Sequence, residues 1–165
     1  MTAPDDIRFA GYRVQDAAAV RALHEQAWRD LAGPFHTPEQ VQAHILLIRD
    51  PGYAEALATN NLTLAWHKDG RLLGSAGWCD VPDAPDAARI RKVFIDPATA
   101  GSGLGRRLVS HVEATARAAG RRRLTVRSNA NAEGFYAALG YRPVSRGIMP
   151  APGANLPVVF MEKSA

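Results

Sequence analysis

Residues 93–108 read VFIDPATAGSGLGRRL and connect a predicted strand to a predicted helix. The strand is predicted over residues 91–95, where the alternation and the β-branched and aromatic side chains are typical of one. Pro97 ends it because proline donates no ladder hydrogen bond. Three glycines then open the helix: Gly101, Gly103 and Gly105. A glycine turn before a helix N-terminus, with its unpaired N–H groups and positive dipole end, predicts an anion site, and the expected anion is a phosphate.

The spacing of these glycines excludes two common phosphate-binding motifs. A dinucleotide fingerprint requires a glycine three residues after Gly103, where this chain has Arg106. A P-loop requires a lysine followed by serine or threonine, which the stretch lacks. The stretch resembles instead the acetyl-CoA motif of the GCN5-related N-acetyltransferases (GNAT), which runs Gln or Arg, two residues, Gly, one residue, Gly or Ala. Gly103 and Gly105 match that form, and Ala100 replaces the leading Gln or Arg.

Residues 129–141, NANAEGFYAALGY, resemble a second conserved segment of the same family. That segment has Asn, two residues, Ala, two residues, Phe-Tyr, three residues, Gly and an aromatic residue. The residues that fall in register are Asn129, Ala132, Phe135, Tyr136, Gly140 and Tyr141. The order and separation of the two segments also fit. The resemblance therefore covers nearly the whole chain and is most specific over residues 93–141.

The resemblance implies an α+β (mixed αβ) fold: a mostly antiparallel mixed sheet of about six to seven strands, with a central parallel pair and helices on both faces. The residues also predict the parallel pair, since strand, long helix and strand over residues 91–127 form a crossover unit. Thr37 and Gln40 predict a capping box at the start of a second helix. The proline-containing residues 81–88 and 146–155 are predicted as loops. We expect a single domain over residues 1–165.

The resemblance implies transfer of an acetyl group from acetyl-CoA, the expected co-substrate, to a primary amine in a ternary complex. It assigns Tyr136 as the acid that protonates the leaving thiolate, which a phenol of reference pKa about 10 can do. The backbone of Val93, Phe94 and Ile95 would pair with the pantetheine arm, and Asn129 would lie beside it. The residues implied for the pyrophosphate are Gly101, Ser102, Gly103, Leu104, Gly105 and Arg106.

The general base is not assigned by the sequence. Many members of the family carry a Glu near the start of the central strand, about where this chain has Arg89. Asp80, His36 and Glu133 are candidates, but each also has an ordinary structural role, as a loop cap, a surface histidine and a first-turn helix charge. Cys79 lacks an identifiable activating partner, so we interpret it as a small buried residue.

Composition limits the class of protein. The 165 residues are 47% hydrophobic, which suffices for a buried core, and no apolar run reaches the roughly 18 residues of a membrane span. The acidic N-terminus has no apolar run typical of a signal peptide, and the single Cys79 cannot form an internal disulfide. These features predict a cytoplasmic protein. Neither the cysteine nor the five histidines show metal-ligand spacing, so no metal site is expected.

Two alternative functions stay open at this point. Ala100 and the missing Glu allow a catalytically inactive acyl-CoA-binding module. The net charge of +4 allows a nucleic-acid-binding protein, although the basic residues are spread along the chain and no nucleic-acid motif accompanies them. A polyanionic cofactor suits the same charge.

The leading interpretation gives a small-molecule or peptide amine as the partner, with neither nucleic acid nor a membrane. A homodimer is a family-level expectation. Residues expected on the acceptor side are Trp28, Phe35, His36 and residues 146–154. Their apolar and positively charged side chains favour an amine that carries an apolar or acidic part.

Overall fold

A seven-stranded mixed sheet forms the centre of the computed structural model, which describes residues 3–165 and only the backbone of Pro4. The strands are β1 (Ile7–Gly11), β2 (Thr63–His67), β3 (Leu72–Val81), β4 (Ala84–Ile95), β5 (Arg123–Asn129), β6 (Arg142–Ala151) and β7 (Ala154–Ser164). Their order is β1-β2-β3-β4-β5-β7-β6. Only β4 and β5 are parallel among these neighbours. The predicted mixed sheet with a central parallel pair is confirmed.

Helices cover both faces of the sheet, each over its own hydrophobic cluster. The helices are α1 (Ala17–Ala27), α2 (Pro38–Arg49), α3 (Pro51–Thr59), α4 (Leu104–Ala118) and α5 (Glu133–Ala138). On one face, Leu108 and Val112 of α4 pack in a cluster with Ile90 and Val126. On the other face, α1 to α3 contribute to a second cluster that includes Trp28 of the π-helical turn after α1. Among residues 3–165, no helix combines the length and hydrophobicity needed to cross a membrane.

A β-bulge at Lys92 interrupts the alternation of β4. Lys92 has a φ of 57°, and the register with β3 shifts by one residue at this point. Ile90 packs on the α4 side before the bulge, and Val93 packs on that same side after it. The unbroken alternation expected over residues 91–95 is therefore wrong. It fails because the bulge depends on a distant residue, Ser75, whose hydroxyl donates a 2.6 Å hydrogen bond to the Lys92 carbonyl.

The predicted loop over residues 81–88 is also wrong, because β4 already begins at Ala84. The hairpin turn is tight, and Asp83 adopts a φ of 62°, which aspartate tolerates better than most residues. Pro85 is accommodated because residues 85–87 have no partner in the register with β3, and pairing with β5 begins only at Ala87. The missing N–H of Pro85 therefore costs no ladder hydrogen bond.

The predicted loop over residues 146–155 is instead the end of a long hairpin. β6 and β7 pair from Arg142 opposite Glu162 to Ala151 opposite Ala154, and Gly153 in the turn has a φ of 83°. β6 is an edge strand, so Pro150 tolerates its position there. Proline density predicted a loop where the chain forms an edge hairpin.

Candidate active site

The central parallel strands separate part-way along their length and leave an opening. β4 and β5 pair from Ala87 opposite Arg123 to Ile90 opposite Val126, and their register ends there. The later residues of β5 continue to pair with β7, while the end of β4 continues to pair with β3. Two cavities, of about 200 and 370 Å³, border this opening. The residues that line both are Val93, Phe94, Arg127, Asn129 and Tyr136.

The first cavity extends from the opening to the start of α4. Gly105, in the first turn of that helix, lines it together with Trp28, Ile95 and Phe135. A Cβ atom at Gly105 would lie 3.4 Å from the Phe135 ring, so glycine permits close packing of this wall. The cavity therefore connects the separated strands with the helix N-terminus.

The loop before α4 adopts a conformation that requires glycine. Gly101 and Gly103 have φ angles of 80° and 88°, and Gly103 is the N-cap of the helix. A Cβ atom at either position would meet no atom within 4 Å, so the positive φ explains the glycines and crowding does not. Leu104 is buried in the core, whereas Arg106 is exposed. Of residues 101–106, Gly105 lines the first cavity, so the start of α4, where backbone N–H groups have no intrahelical acceptor, borders the end of that cavity.

Tyr136 lies between the two cavities. It is on α5, 6% exposed, and its ring makes edge-to-face contacts with Phe135 and Tyr141. Among residues 3–165, its hydroxyl group has no hydrogen-bond partner, which leaves it available to a molecule in the opening. Burial raises the pKa of Tyr136 above its usual value of 10, so the phenol is protonated at neutral pH.

Asn131 is a site residue that the sequence analysis missed. It lines the first cavity, and its Oδ1 atom is buried without a hydrogen-bond partner among the described residues. Buried amide oxygens are normally paired, so this atom is available to a bound donor. Its position two residues after Asn129 could have indicated a site residue, but the family segment does not specify the residue type at that position.

The second cavity lies on the other side of the opening and is rich in positive charge. Arg89, Arg91 and Lys92 of β4 line it, together with Arg127 of β5. The remaining wall is formed by residues of α2, α3 and the edge hairpin, among them His44, Tyr53 and Met149. The protein thus has one cavity that leads to a phosphate-type loop and another that is lined by cations.

The sequence model of the GNAT acetyltransferase family matches residues 20–141, which is most of the chain. The chain belongs to the GNAT acetyltransferase family. A solved GCN5-related N-acetyltransferase from Rhodopseudomonas palustris is 26% identical, with a TM-score of 0.86, over 96% of this chain and 95% of that one. No curated protein sequence matches significantly.

Two more distant GNAT structures show the same fold. PaiA N-acetyltransferase from Thermoplasma acidophilum, solved in complex with coenzyme A, is 13% identical with a TM-score of 0.72, over 96% of this chain and 99% of that one. YncA from Salmonella typhimurium, solved with its cofactor acetyl-CoA, is 19% identical with a TM-score of 0.65, over 96% of this chain and 93% of that one. At these identities the likeness concerns the fold alone.

None of the three candidate bases lines either cavity of this GNAT domain. Asp80 is exposed and pairs with Arg121 at 2.6 Å. Glu133 accepts hydrogen bonds of 3.2 and 2.7 Å from Arg146. The Nδ1 atom of His36 lies 2.8 Å from the Ala32 carbonyl oxygen. Arg89, at the position where many GNAT proteins have Glu, does line the second cavity.

The expected acceptor wall is only partly formed by the predicted residues. Trp28 lines the first cavity and Met149 the second, whereas Phe35 is 62% exposed and lines neither. His36 packs against Trp28 with ring centroids 4.7 Å apart and the ring planes tilted by 45°, and it does not line the cavity. Arg146 is bound to Glu133 and does not supply free charge. Cys79 is half-buried, with Arg89 as its register partner.

A buried polar cluster supports the second cavity from behind. His24 contacts the Tyr53 hydroxyl at 2.6 Å and the Ser75 hydroxyl at 2.7 Å. Ser75 already donates its only proton to the Lys92 carbonyl, so Nε2 of His24 donates to Ser75 and Nδ1 accepts from Tyr53. Burial, and then the Lys92 charge, lower the pKa of His24 well below its usual range, so His24 is neutral. Ser75 is therefore a structural link rather than a nucleophile.

Lys92 reaches this cluster from the bulge. Its Nζ atom lies 3.9 Å from the centre of the Tyr53 ring. Burial, and then the positive charge of Arg91, lower the pKa of Lys92 to about 7. The amine is thus close to half-protonated at neutral pH, which is unusual for a lysine.

Proposed function

We propose that this GNAT protein transfers an acetyl group from acetyl-CoA to the primary amine of a small molecule or peptide by direct attack in a ternary complex. Acetyl-CoA is the co-substrate. The observation that carries the proposal is the position of Tyr136, buried and protonated between two cavities that meet where β4 and β5 separate. One cavity suits the cofactor arm, and the other is open to an acceptor.

The first cavity and the glycine loop would hold the cofactor. After Ile90, β4 has no register partner on β5, so backbone groups of Val93, Phe94 and Ile95 can pair with the amide groups of the pantetheine arm. Residues 101–106 would bind the pyrophosphate through the N–H groups at the start of α4. Asn129 and Asn131 line the same cavity and would bind the pantetheine amides.

The chemistry requires three events. An amine that has lost its proton attacks the thioester carbonyl carbon, and the developing oxyanion requires a fixed donor such as a strand N–H group. This attack forms the C–N bond, and the C–S bond breaks when the oxyanion collapses back to a carbonyl group. The leaving thiolate takes the proton of the Tyr136 hydroxyl, which the raised pKa of this phenol keeps protonated at neutral pH. The amine nitrogen releases its surplus proton to water or to a neighbouring group.

An inactive acyl-CoA-binding module is the alternative function. Ala100 is exposed beside the loop and offers no side chain to the phosphates, but the positive φ angles of Gly101 and Gly103 still form the backbone cradle. Tyr136 is retained at the expected position, which favours an active enzyme.

The test is calorimetric titration with acetyl-CoA of the wild type and of Gly103→Glu. The substitution places a strained backbone and a negative charge at the phosphate loop, so we expect saturable binding by the wild type and none by the variant. Gly153→Glu is the matched control, because Gly153 also has a positive φ and open space but lies in the β6–β7 turn. It should bind acetyl-CoA like the wild type.

Amine-dependent release of the CoA thiol separates the enzyme from the inactive module. Release that rises with added amine supports the enzyme. Binding of acetyl-CoA without release for any amine would establish the binding module. Absence of binding would reject the cofactor assignment itself.

A further inference from the structure

The positive charge in the second cavity is not balanced by the protein. Within residues 3–165, no carboxylate oxygen lies within 4 Å of a charged nitrogen of Arg89, Arg91, Lys92 or Arg127. Asp50 also lines the cavity, but its side chain accepts a 2.8 Å hydrogen bond from the Gly52 N–H group as the N-cap of α3. The cavity therefore has several cations, and the one carboxylate that lines it caps a helix and pairs with none of them.

The fold brings these cations together although their positive charges repel each other. Arg89 pairs in register with Thr125, so Arg91 and Arg127, two residues further along each strand, lie on the same face of the sheet. Burial, and then the positive charges of Arg89 and Arg91, lower the pKa of Arg127. Like charges held this close repel each other, and a bound anion would relieve the repulsion.

Several arginines elsewhere in the chain are paired with carboxylates. Arg123, on the same strand as Arg127, lies 3.5 Å from a carboxylate oxygen of Glu162 and 3.8 Å from one of Asp86. Arg121 and Arg146 also have carboxylate partners. Exposed Arg8 and Arg142 of the sheet also lack a carboxylate within 4 Å, but Arg89 and Arg91 lack one although they are half-buried.

The unbalanced charge is separate from the cofactor loop. Gly105, in the first turn of α4, lines only the first cavity, while Arg89 and Arg91 line only the second and Arg127 lines both. The phosphates of the cofactor would be held at the start of α4, so they would not neutralise these arginines. The anion that fits the second cavity belongs to a different molecule.

We propose that Arg89, Arg91 and Arg127 bind an anionic group, a carboxylate or a phosphate, of the amine that accepts the acetyl group. This inference rests on the proposed function, because it assigns the substrate class of that same site. Guanidinium groups bind both kinds of anion through paired N–H donors. The acceptor is then an anionic amine rather than a polycationic one.

The rest of the cavity wall suits an uncharged body for this acceptor. Leu47, Tyr53 and Met149 present mainly apolar surface. His44 stacks on Trp28 with ring centroids 4.1 Å apart. Burial, and then the positive charge of Lys92, lower the pKa of His44 to about 4, so its ring is neutral at pH 7. An amine with an anionic end and an apolar body fits both halves of the wall.

Paired acceptors test the proposal, each pair differing only in the anion. L-leucine is compared with isoamylamine, and phosphoethanolamine with ethanolamine, by kcat/KM for CoA release. We expect the anionic member of at least one pair to be preferred by about tenfold to a hundredfold, as charge-assisted hydrogen bonds provide. The pair with the larger preference identifies carboxylate or phosphate as the source.

Arg91→Gln should lower kcat/KM for the anionic amine more than for the neutral amine of the pair, and so remove the preference. Arg122→Gln is the matched control, because Arg122 is exposed and lines neither cavity, yet the substitution removes the same charge. Equal kcat/KM values within both pairs, or a polyamine as the best acceptor, would overturn the proposal. So would equal losses for the anionic and the neutral amine in Arg91→Gln.

A binding experiment without turnover distinguishes failure of this proposal from failure of the proposed function. The CoA-saturated protein is titrated calorimetrically with 4-methylpentanoate and with inorganic phosphate, which carry the anions but no amine. Binding that is lost in Arg91→Gln and kept in Arg122→Gln supports the anion site even where no amine is acetylated. Binding of neither anion, or equal binding by both variants, contradicts it.

Discussion

Two groups of charged side chains, one around the buried Glu113 and one at the second cavity, differ in how completely they are paired. Glu113 is 4% exposed and accepts a 2.8 Å hydrogen bond from Tyr141, with Lys163 at 2.9 Å and Arg117 at 3.4 Å. The cavity cations Arg89, Arg91, Lys92 and Arg127 have no such partners among residues 3–165.

The difference separates structural from functional charge. The Glu113 group satisfies itself, so it stabilises the fold without a ligand once its members are in place. The cavity cations repel each other, but the strands hold them close together. Such uncompensated positive charge is typical of a site that binds an anion. The two tyrosines follow the same division, since Tyr141 is bonded within the core and Tyr136 is unbonded at the cavities.

The largest expected effect is on the two tyrosines. Tyr136→Phe should lower kcat by about a hundredfold to ten-thousandfold, the usual contribution of a general acid, with little change in the free energy of unfolding. Tyr141→Phe should do the opposite, leaving kcat near the wild-type value and lowering the free energy of unfolding by about 2 kcal/mol. Steady-state kinetics and urea unfolding measure the two quantities. A Tyr136→Phe variant with wild-type kcat would remove Tyr136 from the reaction.

The next effect concerns the paired group alone. Glu113→Gln leaves Lys163 and Arg117 without their negative partner, and we expect a loss of about 3 kcal/mol in the free energy of unfolding. Acetyl-CoA affinity should not change, because Glu113 lines neither cavity. Glu162→Gln is the control for a surface pair and should cost at most about 1 kcal/mol. Equal losses in the two variants would contradict the distinction.

The smallest expected effect is a gain in the free energy of unfolding, where Glu113→Gln causes a loss, and this gain depends on pH. Lys92 has a pKa of about 7 in the folded protein against an ordinary 10.5, so the unfolded chain binds more protons between these values. Stability attributable to Lys92 therefore rises with pH from about 7 towards 10, by up to about 1.4 kcal/mol per pH unit. Lys92→Met should abolish this rise and stabilise the ligand-free protein by about 2 kcal/mol at pH 7, after loss of the Tyr53 contact.

Urea unfolding of the wild type and Lys92→Met at pH 7, 8 and 9 measures this prediction. Lys68→Met is the control, since Asp6 raises the pKa of the exposed Lys68 and so keeps its titration outside the window. If the free energy of unfolding of Lys92→Met rises with pH as steeply as that of the wild type, the pKa of Lys92 is not lowered in the folded protein.

Short-range patterns allowed much of the fold and part of the site to be predicted. The capping box of Thr37 and Gln40 forms as expected, with both hydrogen bonds present. The first family segment predicted the glycine turn that precedes α4, where Gly101 and Gly103 have positive φ angles. Each of these depends on residues within a few positions of one another, where local hydrogen bonds and backbone conformation decide the structure.

The features that were missed depend on residues far apart in the chain. The bulge at Lys92 depends on Ser75, and the cation cluster forms only because the parallel pairing of β4 with β5 places Arg89, Arg91 and Arg127 on one face of the sheet. The last two strands were predicted over residues 141–145 and 156–161, but their extension through residues 146–155 was missed because prolines predict loops unless the strand is known to lie at an edge. Asn131 was missed because its lack of a partner is a property of burial, which spacing does not reveal.

The bulge at Lys92 has a consequence for the direction in which a molecule can enter. A strand with regular alternation would present either Arg89 and Arg91 or Phe94 on one surface, but not both. The extra residue places them all on the second cavity, so that one strand offers a charged half followed by an aromatic half. An acceptor of the proposed kind would thereby be oriented along β4, with its anionic group at the arginines and its amine towards Tyr136.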